Sequence, residues 1–465
     1  MMNLISKKMI AVLLAGTMLI GLVACGKDNK NANLDKENKE QGKEVEQVEE
    51  TTTEEATTEM SEDAIVITIL TDKTHLVDTK FEEYKKIFES NYENVVVEIE
   101  AVKNYEQTMR QRLRTGDYGD VLLIPEFVTN YQLSGYFEPL GTVEELSETY
   151  DERFLQVHAV DGVVYGLPRY ANVYGVAYNE VVFANSGELA FPTNSGEFLS
   201  MLKKMQNSQP GVIPYYTGYG NGEWLWQWQM QVWGAVAADA TYRNQGIVTE
   251  QEPFLEGKPN YTVHKLLYDI VKNRLCEPFT EGENWRPIYR QMNEGKIGCM
   301  LLSSDYIYEL QTAGTNPDDI SFMPFPYVVD DVQYAAVETD YSYAINKNSA
   351  NKELAKEWIT YMLNKSGFSK SEGALSIKKK AALPTTLKNF ENVEWIVNPL
   401  GKPQEAKEYQ KLNGLSGLRL DEDKEKNRLI EEAAKEDGIP FDDIMKEWNE
   451  RWKNALQGIR YDQEL

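Results

Sequence analysis

The stretch from residue 64 to residue 124 limits the possible folds more than any other part of the chain. Three apolar runs, at 64–70, 95–99 and 120–124, alternate with two segments of helical periodicity. The first run, Ala64-Ile65-Val66-Ile67-Thr68-Ile69-Leu70, is apolar on both faces and reads as a strand with neighbours on both sides. Phe81, Tyr84, Ile87 and Phe88 share one helical face, and Tyr105, Met109 and Leu113 share another. Strands that alternate with helices of this length build βαβ units around a parallel sheet.

The pattern returns further along. Tyr174-Gly175-Val176-Ala177-Tyr178-Asn179 reads as a strand, and Ser195 as the N-cap of a helix facing inward through Phe198, Leu199, Leu202 and Met205. Val263, Leu266, Leu267, Ile270 and Val271 mark a second core helix. Ile297-Gly298-Cys299-Met300-Leu301-Leu302 marks a buried strand. Phe441, Ile444, Met445, Trp448, Trp452 and Leu456 mark a terminal helix. A chain of 465 residues without internal repeats exceeds one small core and implies two lobes or one large domain.

Ahead of residue 64 the chain is of another kind. Lys7 and Lys8 precede an apolar run at 9–23, and Leu22-Val23-Ala24-Cys25 reads as a lipobox. The expectation is a signal peptide over 1–24, cleavage before Cys25, and a diacylglycerol with a further acyl chain such as palmitate at that residue. Residues 25–63 are Lys, Asn, Asp, Glu, Gln and Thr almost throughout, which cannot bury enough apolar surface to offset ordering. They read as a disordered acidic leash. The protein is therefore expected at the extracytoplasmic face of the cell membrane, held by lipid alone.

Formal net charge is −26, which repels nucleic acid and anionic lipid. Apart from Cys25, only Cys276 and Cys299 remain, so no disulfide framework exists and two unpaired, buried thiols are expected. Enzyme signatures are sparse. The histidines are His75, His158 and His264, none at metal or triad spacing, and His264 reads as a surface or boundary residue of its helix. No phosphate loop or nucleophile elbow occurs, and no cofactor or metal is expected. A glycosidase needs only two carboxylates, so a glycan-degrading enzyme stays open. Asp421-Glu422-Asp423 with Glu425 and Glu432 has Lys426 where a calcium loop needs glycine, and reads as an acidic helix start.

Seven segments in register carry a resemblance. They are Thr71-Asp72-Lys73, the turn Thr115-Gly116-Asp117-Tyr118-Gly119-Asp120-Val121, and Asp161-Gly162-Val163-Val164-Tyr165-Gly166-Leu167-Pro168 with Tyr178-Asn179. The others are Gly295-Lys296-Ile297-Gly298-Cys299-Met300, Met323-Pro324-Phe325-Pro326, Ala344-Ile345-Asn346-Lys347-Asn348-Ser349, and the helix with Ala355, Trp358 and Ile359. In this order, behind a lipobox, they resemble the extracellular solute-binding proteins of ABC sugar importers (family 1, maltose-binding-protein-like). The resemblance implies an α/β, two-lobe periplasmic-binding-protein-like (type II) fold with a hinge and a central ligand cleft. It implies an N-terminal lobe of 64–171 plus 343–384, a C-terminal lobe of 172–342 plus 385–465, and crossings near Ala171, Asp340 and Ser376. Ligand would bind at the carboxyl ends of the strands, and a monomer would deliver it to a separate ABC transporter permease in the membrane. Asp72 and Lys73 would touch sugar, as an Asp-Lys pair at this strand end does in the family.

Sugar recognition needs rings for apolar C–H faces and planar polar groups for hydroxyl pairs. The loop and helix from Tyr215 to Trp228 concentrate both, with Trp224 or Trp226 as the stacking ring and Trp228 and Trp233 in the core. Trp285 stands in a polar stretch poorly explained by a core. Asp305 occupies a place where many family members carry a stacking tryptophan, and reads as a hydroxyl acceptor. Arg169, Tyr170 and Asn172 at the first crossing, Asp340 and Tyr341 at the second, and Glu126 after the third strand complete the candidate set. The reading is a lipid-anchored solute-binding protein that captures a carbohydrate, an oligosaccharide before a monosaccharide, by hinge closure and without covalent chemistry. The alternatives are the same fold with a peptide, polyamine or other solute, or a secreted glycan-degrading enzyme.

Overall fold

The computed structural model describes residues 64–220, 224–278, 286–397 and 403–464; residues 1–63 with Cys25, and Trp285, lie outside them. The first sheet is laid down as the alternation predicts. Strands β1 (Ile65–Thr71), β2 (Val95–Ala101) and β3 (Val121–Leu123) pair in parallel, with β1 between the other two. Helices Glu82–Glu89 and Tyr105–Thr115 connect them, burying Phe81, Tyr84 and Phe88, then Tyr105, Met109 and Leu113. Ile87 departs from its predicted face and is 54% exposed. It sits about 100° around the helix from Phe88, beyond a stripe already filled by Phe81, Tyr84 and Phe88.

The short β4 (Leu167–Pro168) leads straight into β5 (Ala171–Asn179), the longest strand and the centre of a second sheet. Around it come β6 (Ile213–Tyr215), β7 (Ile297–Ser303), β8 (Ile320–Met323), β9 (Val328–Val329) and β10 (Val332–Thr339). The chain then returns as β11 (Ser342–Ile345), between β3 and β4 of the first sheet, before β12 (Val393–Val397) joins β10. The first sheet runs β2-β1-β3-β11-β4, and the second runs β9-β10-β5-β7-β6, with β8 on β5 and β12 on β10. Neither sheet is purely parallel, which corrects the simple βαβ expectation. β11 arrives from the other sheet and pairs antiparallel with β3, and β5 pairs antiparallel with β7, β8 and β10.

The passages between sheets lie side by side. Ala171 and Leu375 exchange backbone hydrogen bonds at 2.9 and 2.8 Å, Asp340 N–H donates to Tyr170 O at 3.0 Å, and Arg169 N–H to Tyr341 O at 3.0 Å. Backbone pairing joins these segments into one bridge between the two sheets.

Three local readings are corrected. The N-cap of helix Ser195–Ser208 is Asn194, whose side chain accepts from Glu197 N–H at 3.0 Å, one residue before the serine expected. His264 is wholly buried in helix Pro259–Lys272: its Nδ1 meets Asn260 O at 2.7 Å, and its ring lies edge-on to Trp448 of the terminal helix at 5.2 Å. The long helix Phe441–Glu464 covers what the periodicity of 259–272 alone left as a boundary. Lys426, read only as a missing glycine, is buried, with its ammonium donating to Leu420 O at 2.6 Å and Glu422 O at 2.9 Å. Cys276 and Cys299 are free and flank Tyr215 on its two sides, which puts them two strand spacings, about 10 Å, apart and beyond disulfide reach.

Candidate ligand-binding cleft

The strand ends of the two sheets meet around a cavity of about 560 Å³. Glu126 after β3, His158, Asn172 on β5, Glu338 at the end of β10, and Asp340 and Tyr341 in the crossing line it, together with Arg243 and Tyr409. Four residues singled out from sequence, Glu126, Asn172, Asp340 and Tyr341, thus share one wall.

Asp72 and Arg169 stand behind that wall, joined to each other. Arg169 donates to Asp72 Oδ1 and Oδ2 at 2.6 and 3.1 Å and pairs with Asp340 Oδ1 at 2.6 Å. Its side chain is 2% exposed. Burial opposes its charge, but the Asp340 and Asp72 carboxylates override that and hold the guanidinium firmly protonated. Tyr170 and Tyr341 present rings to the same guanidinium at 5.2 and 5.7 Å. Arg169 and Tyr170 are therefore enclosed, and Asp72 is engaged by Arg169. These three shape the crossing; Lys73, next along, leans on Glu372 at 3.5 Å and on the Tyr170 ring at 5.9 Å.

The acids of the wall interact with one another. Tyr341 Oη donates to Glu106 at 2.9 Å, and Glu126 N–H donates to the same carboxylate at 3.0 Å. Desolvation first, then Glu106 and Glu338, raise the Glu126 carboxyl above the usual range. Tyr174 Oη donates to Glu338 at 2.6 Å. Asp305, after β7, accepts from the Ser303 hydroxyl, and its carboxyl is raised by desolvation first, with Asp340 adding to the effect and Lys73 opposing it.

Four tryptophans divide as packing demands. Trp228 and Trp233 are buried, whereas Trp224 and Trp226 are half-buried. Trp226 meets the Tyr174 ring edge-on at 5.5 Å, close to Glu338 through the Tyr174 hydroxyl. Trp224 joins Tyr289 and Tyr306 in an aromatic trio, each at 6.1 Å from it. Two acids pin the loop that carries these rings. Glu277, buried, accepts from Thr217 N–H and hydroxyl and from Gly218 N–H at 2.5–3.2 Å, and Asp423 accepts from Trp224 N–H at 2.9 Å.

Sequence reasoning missed Arg243, His158, Tyr409 and Glu277. Arg243 lies over the Trp233 ring at 4.3 Å and the Tyr409 ring at 5.5 Å. His158 Nδ1 is 2.9 Å from Ser342 Oγ, and burial pushes its imidazole down to about 4, so it is neutral near pH 7. No local pattern marks these positions: Ser342 for His158, Tyr409 for Arg243 and Thr217 for Glu277 all lie far along the chain.

The bacterial extracellular solute-binding protein model matches residues 74–367. The chain belongs to that family. Two solved relatives from Bifidobacterium animalis subsp. lactis match along most of its length. The binding protein BlMnBP1 of an ABC transporter, in complex with mannobiose, is 30% identical over 85% of this chain and 95% of its own, with a TM-score of 0.68. The manno-oligosaccharide-specific solute-binding protein BlMnBP2, in complex with mannotriose, is 29% identical with the same coverage and TM-score. A curated relative, the osmoprotective compounds-binding protein GgtB of Synechocystis, is 27% identical over 260 residues. That match takes in 51% of this chain and 58% of GgtB, little more than half of the relative's length. This solute-binding protein accordingly has the two-lobe fold of extracellular binding proteins. Among its described residues, no helix is long and apolar enough to cross a membrane.

Proposed function

We propose that this solute-binding protein captures an oligosaccharide between its lobes and hands it to the membrane permease of an ABC transporter. The cavity at the strand ends carries the reading: hydroxyl-binding groups (Glu126, Asn172, Arg243 and Glu338) line it, and rings of Tyr341 and Tyr409 stand in the same wall. Closure of the lobes about the paired crossing strands would enclose the ligand and change the surface shown to the permease. No covalent step is part of this function; the ligand leaves as it arrived. Trp224, Trp226 and Asp305 would extend the site beyond the cavity, which suits several sugar rings. Lipid at Cys25 would hold the chain at the extracytoplasmic face as a monomer. The two manno-oligosaccharide binders, each matched over 95% of its length, make mannobiose and mannotriose the first ligands to try. GgtB, which its name describes as binding osmoprotective compounds, makes such compounds the second. Thermal unfolding against both sets tests the proposal: a ligand at about a hundred times its Kd adds about 2.7 kcal/mol of stability. A shift with an oligosaccharide, with that sugar recovered intact by chromatography, supports capture. A cleaved sugar supports the glycan-degrading enzyme instead. Metabolic labelling with palmitate, lost in Cys25→Ser, tests the anchor.

A further inference from the structure

The charge of the ligand follows from the cleft's own charges, provided the capture reading above holds. Glu126 and Glu338 line the cavity, and Glu106 stands directly behind Tyr341 and Glu126. Asp72 and Asp340 share a single guanidinium, so the Arg169 triad keeps one net negative charge. Asp305 and Glu309 add two more carboxylates near Lys73, which is itself paired with Glu372. His158 is neutral near pH 7. Among the described lining residues, the one cation is Arg243. Its guanidinium lies over two rings, 4.3 Å from the Trp233 centroid and 5.5 Å from that of Tyr409.

Two ligand chemistries fit a lone arginine in a sugar cleft. A uronate would offer it a carboxylate for a forked pair. A neutral sugar would offer it hydroxyl oxygens. The surrounding acids decide between them. A carboxylate entering this cavity would shed its water and meet several like charges at close range, where the effective dielectric is far below that of bulk water. Hydroxyls suffer no such repulsion and match both kinds of group: they donate to Glu126 and Glu338 and accept from Arg243. They also serve Asn172, whose Oδ1 is enclosed and unpartnered among the described residues. Desolvation is the chief cause of the raised Glu126 carboxyl, and Glu106 and Glu338 add to it, as they would act on an incoming anion.

We propose that the cleft takes uncharged oligosaccharides and rejects uronates, with Glu126 and Glu338 setting that selectivity. The test is calorimetric titration of the purified protein with neutral mannotriose and galactotriose and with their acidic counterparts, trimannuronate and trigalacturonate, at low and high salt. The expected result is binding of a neutral trisaccharide, with its uronate counterpart at least about thirtyfold weaker at low salt. Salt should narrow that gap, and Glu126→Gln/Glu338→Gln should narrow it by relieving the uronate more than the neutral sugar. A uronate that binds as tightly as its neutral counterpart, or tighter, overturns the selectivity while leaving capture in place. Binding of no saccharide, neutral or acidic, overturns both.

Discussion

Replacing Arg169 with methionine removes the one positive charge that two carboxylates share. The side chain is 2% exposed, and its partners Asp72 and Asp340 are 21% and 16% exposed, so none of the three is well screened by water. Breaking a buried ion pair by deleting one partner costs about 3–5 kcal/mol, because the other charge is left enclosed. Partial exposure of the two aspartates puts the expected loss near the lower end, about 3 kcal/mol. Asp340 keeps the Tyr341 N–H at 2.6 Å and a side-chain hydrogen bond from Tyr170; Asp72 loses both of its guanidinium bonds. Most of the loss should therefore come from two facing carboxylates, and Arg169→Met/Asp72→Asn should recover about 1–2 kcal/mol of it. Urea unfolding at pH 7, followed by tryptophan fluorescence, measures both variants with the slope as a check on two-state behaviour. A loss below about 1 kcal/mol, or a double variant no more stable than the single one, would refute the view that this triad braces the crossing.

Other perturbations reach other parts of the account. Trp224→Ala should weaken oligosaccharide binding by about 1–2 kcal/mol, roughly tenfold in Kd, with little change in stability because the ring is half-buried; unchanged affinity would remove Trp224 from the site. Gly234→Ala should destabilise by about 1–3 kcal/mol in urea, because the new Cβ would lie 2.3 Å from Ala336 Cβ on β10 and 2.5 Å from its backbone nitrogen. Burial, with Lys426 adding to it, depresses the His264 imidazole to about 3 in the folded state, against 6.5 for an ordinary histidine. The unfolded chain therefore binds the extra proton first, and this part of the stability is complete above pH 6.5 and lost as pH falls toward 3. His264→Gln should flatten the acid limb by up to about 1.4 kcal/mol per pH unit; parallel curves for the two proteins would contradict the assignment.

The parts legible in the sequence are those determined over short distances. Strand β1 and the helices after it could be read because Ile67, Ile69 and Leu70, then Phe81, Tyr84 and Phe88, repeat with the period of the element that buries them. Glu126, Asn172, Asp340 and Tyr341 could be expected to line one cavity because they follow strands or stand in crossings, where α/β sheets leave a crevice. The failures share a cause. Asp72 could be placed at its strand end but its pairing could not be foreseen, because Arg169 comes 97 residues later. His264 looked like a boundary residue until Trp448 of the terminal helix covered it. Arg243 and Tyr409 come from segments with no motif, and only folding brings them to the same cavity as Glu338. Local pattern records which face of an element is covered, and not which distant segment covers it.

The proposed role rests on reversible capture of an oligosaccharide in the cleft between the lobes. Isothermal titration of mannotriose into the purified protein, repeated with Glu338→Ala, is the measurement for it. Glu338 suits this comparison because its carboxylate lines the cavity, is exposed, and makes its contact with Tyr174 at the ligand wall. One-to-one binding, intact sugar afterwards, and an affinity at least about tenfold lower in the variant are expected. Mannotriose bound equally well by both proteins would place the ligand elsewhere and contradict the account.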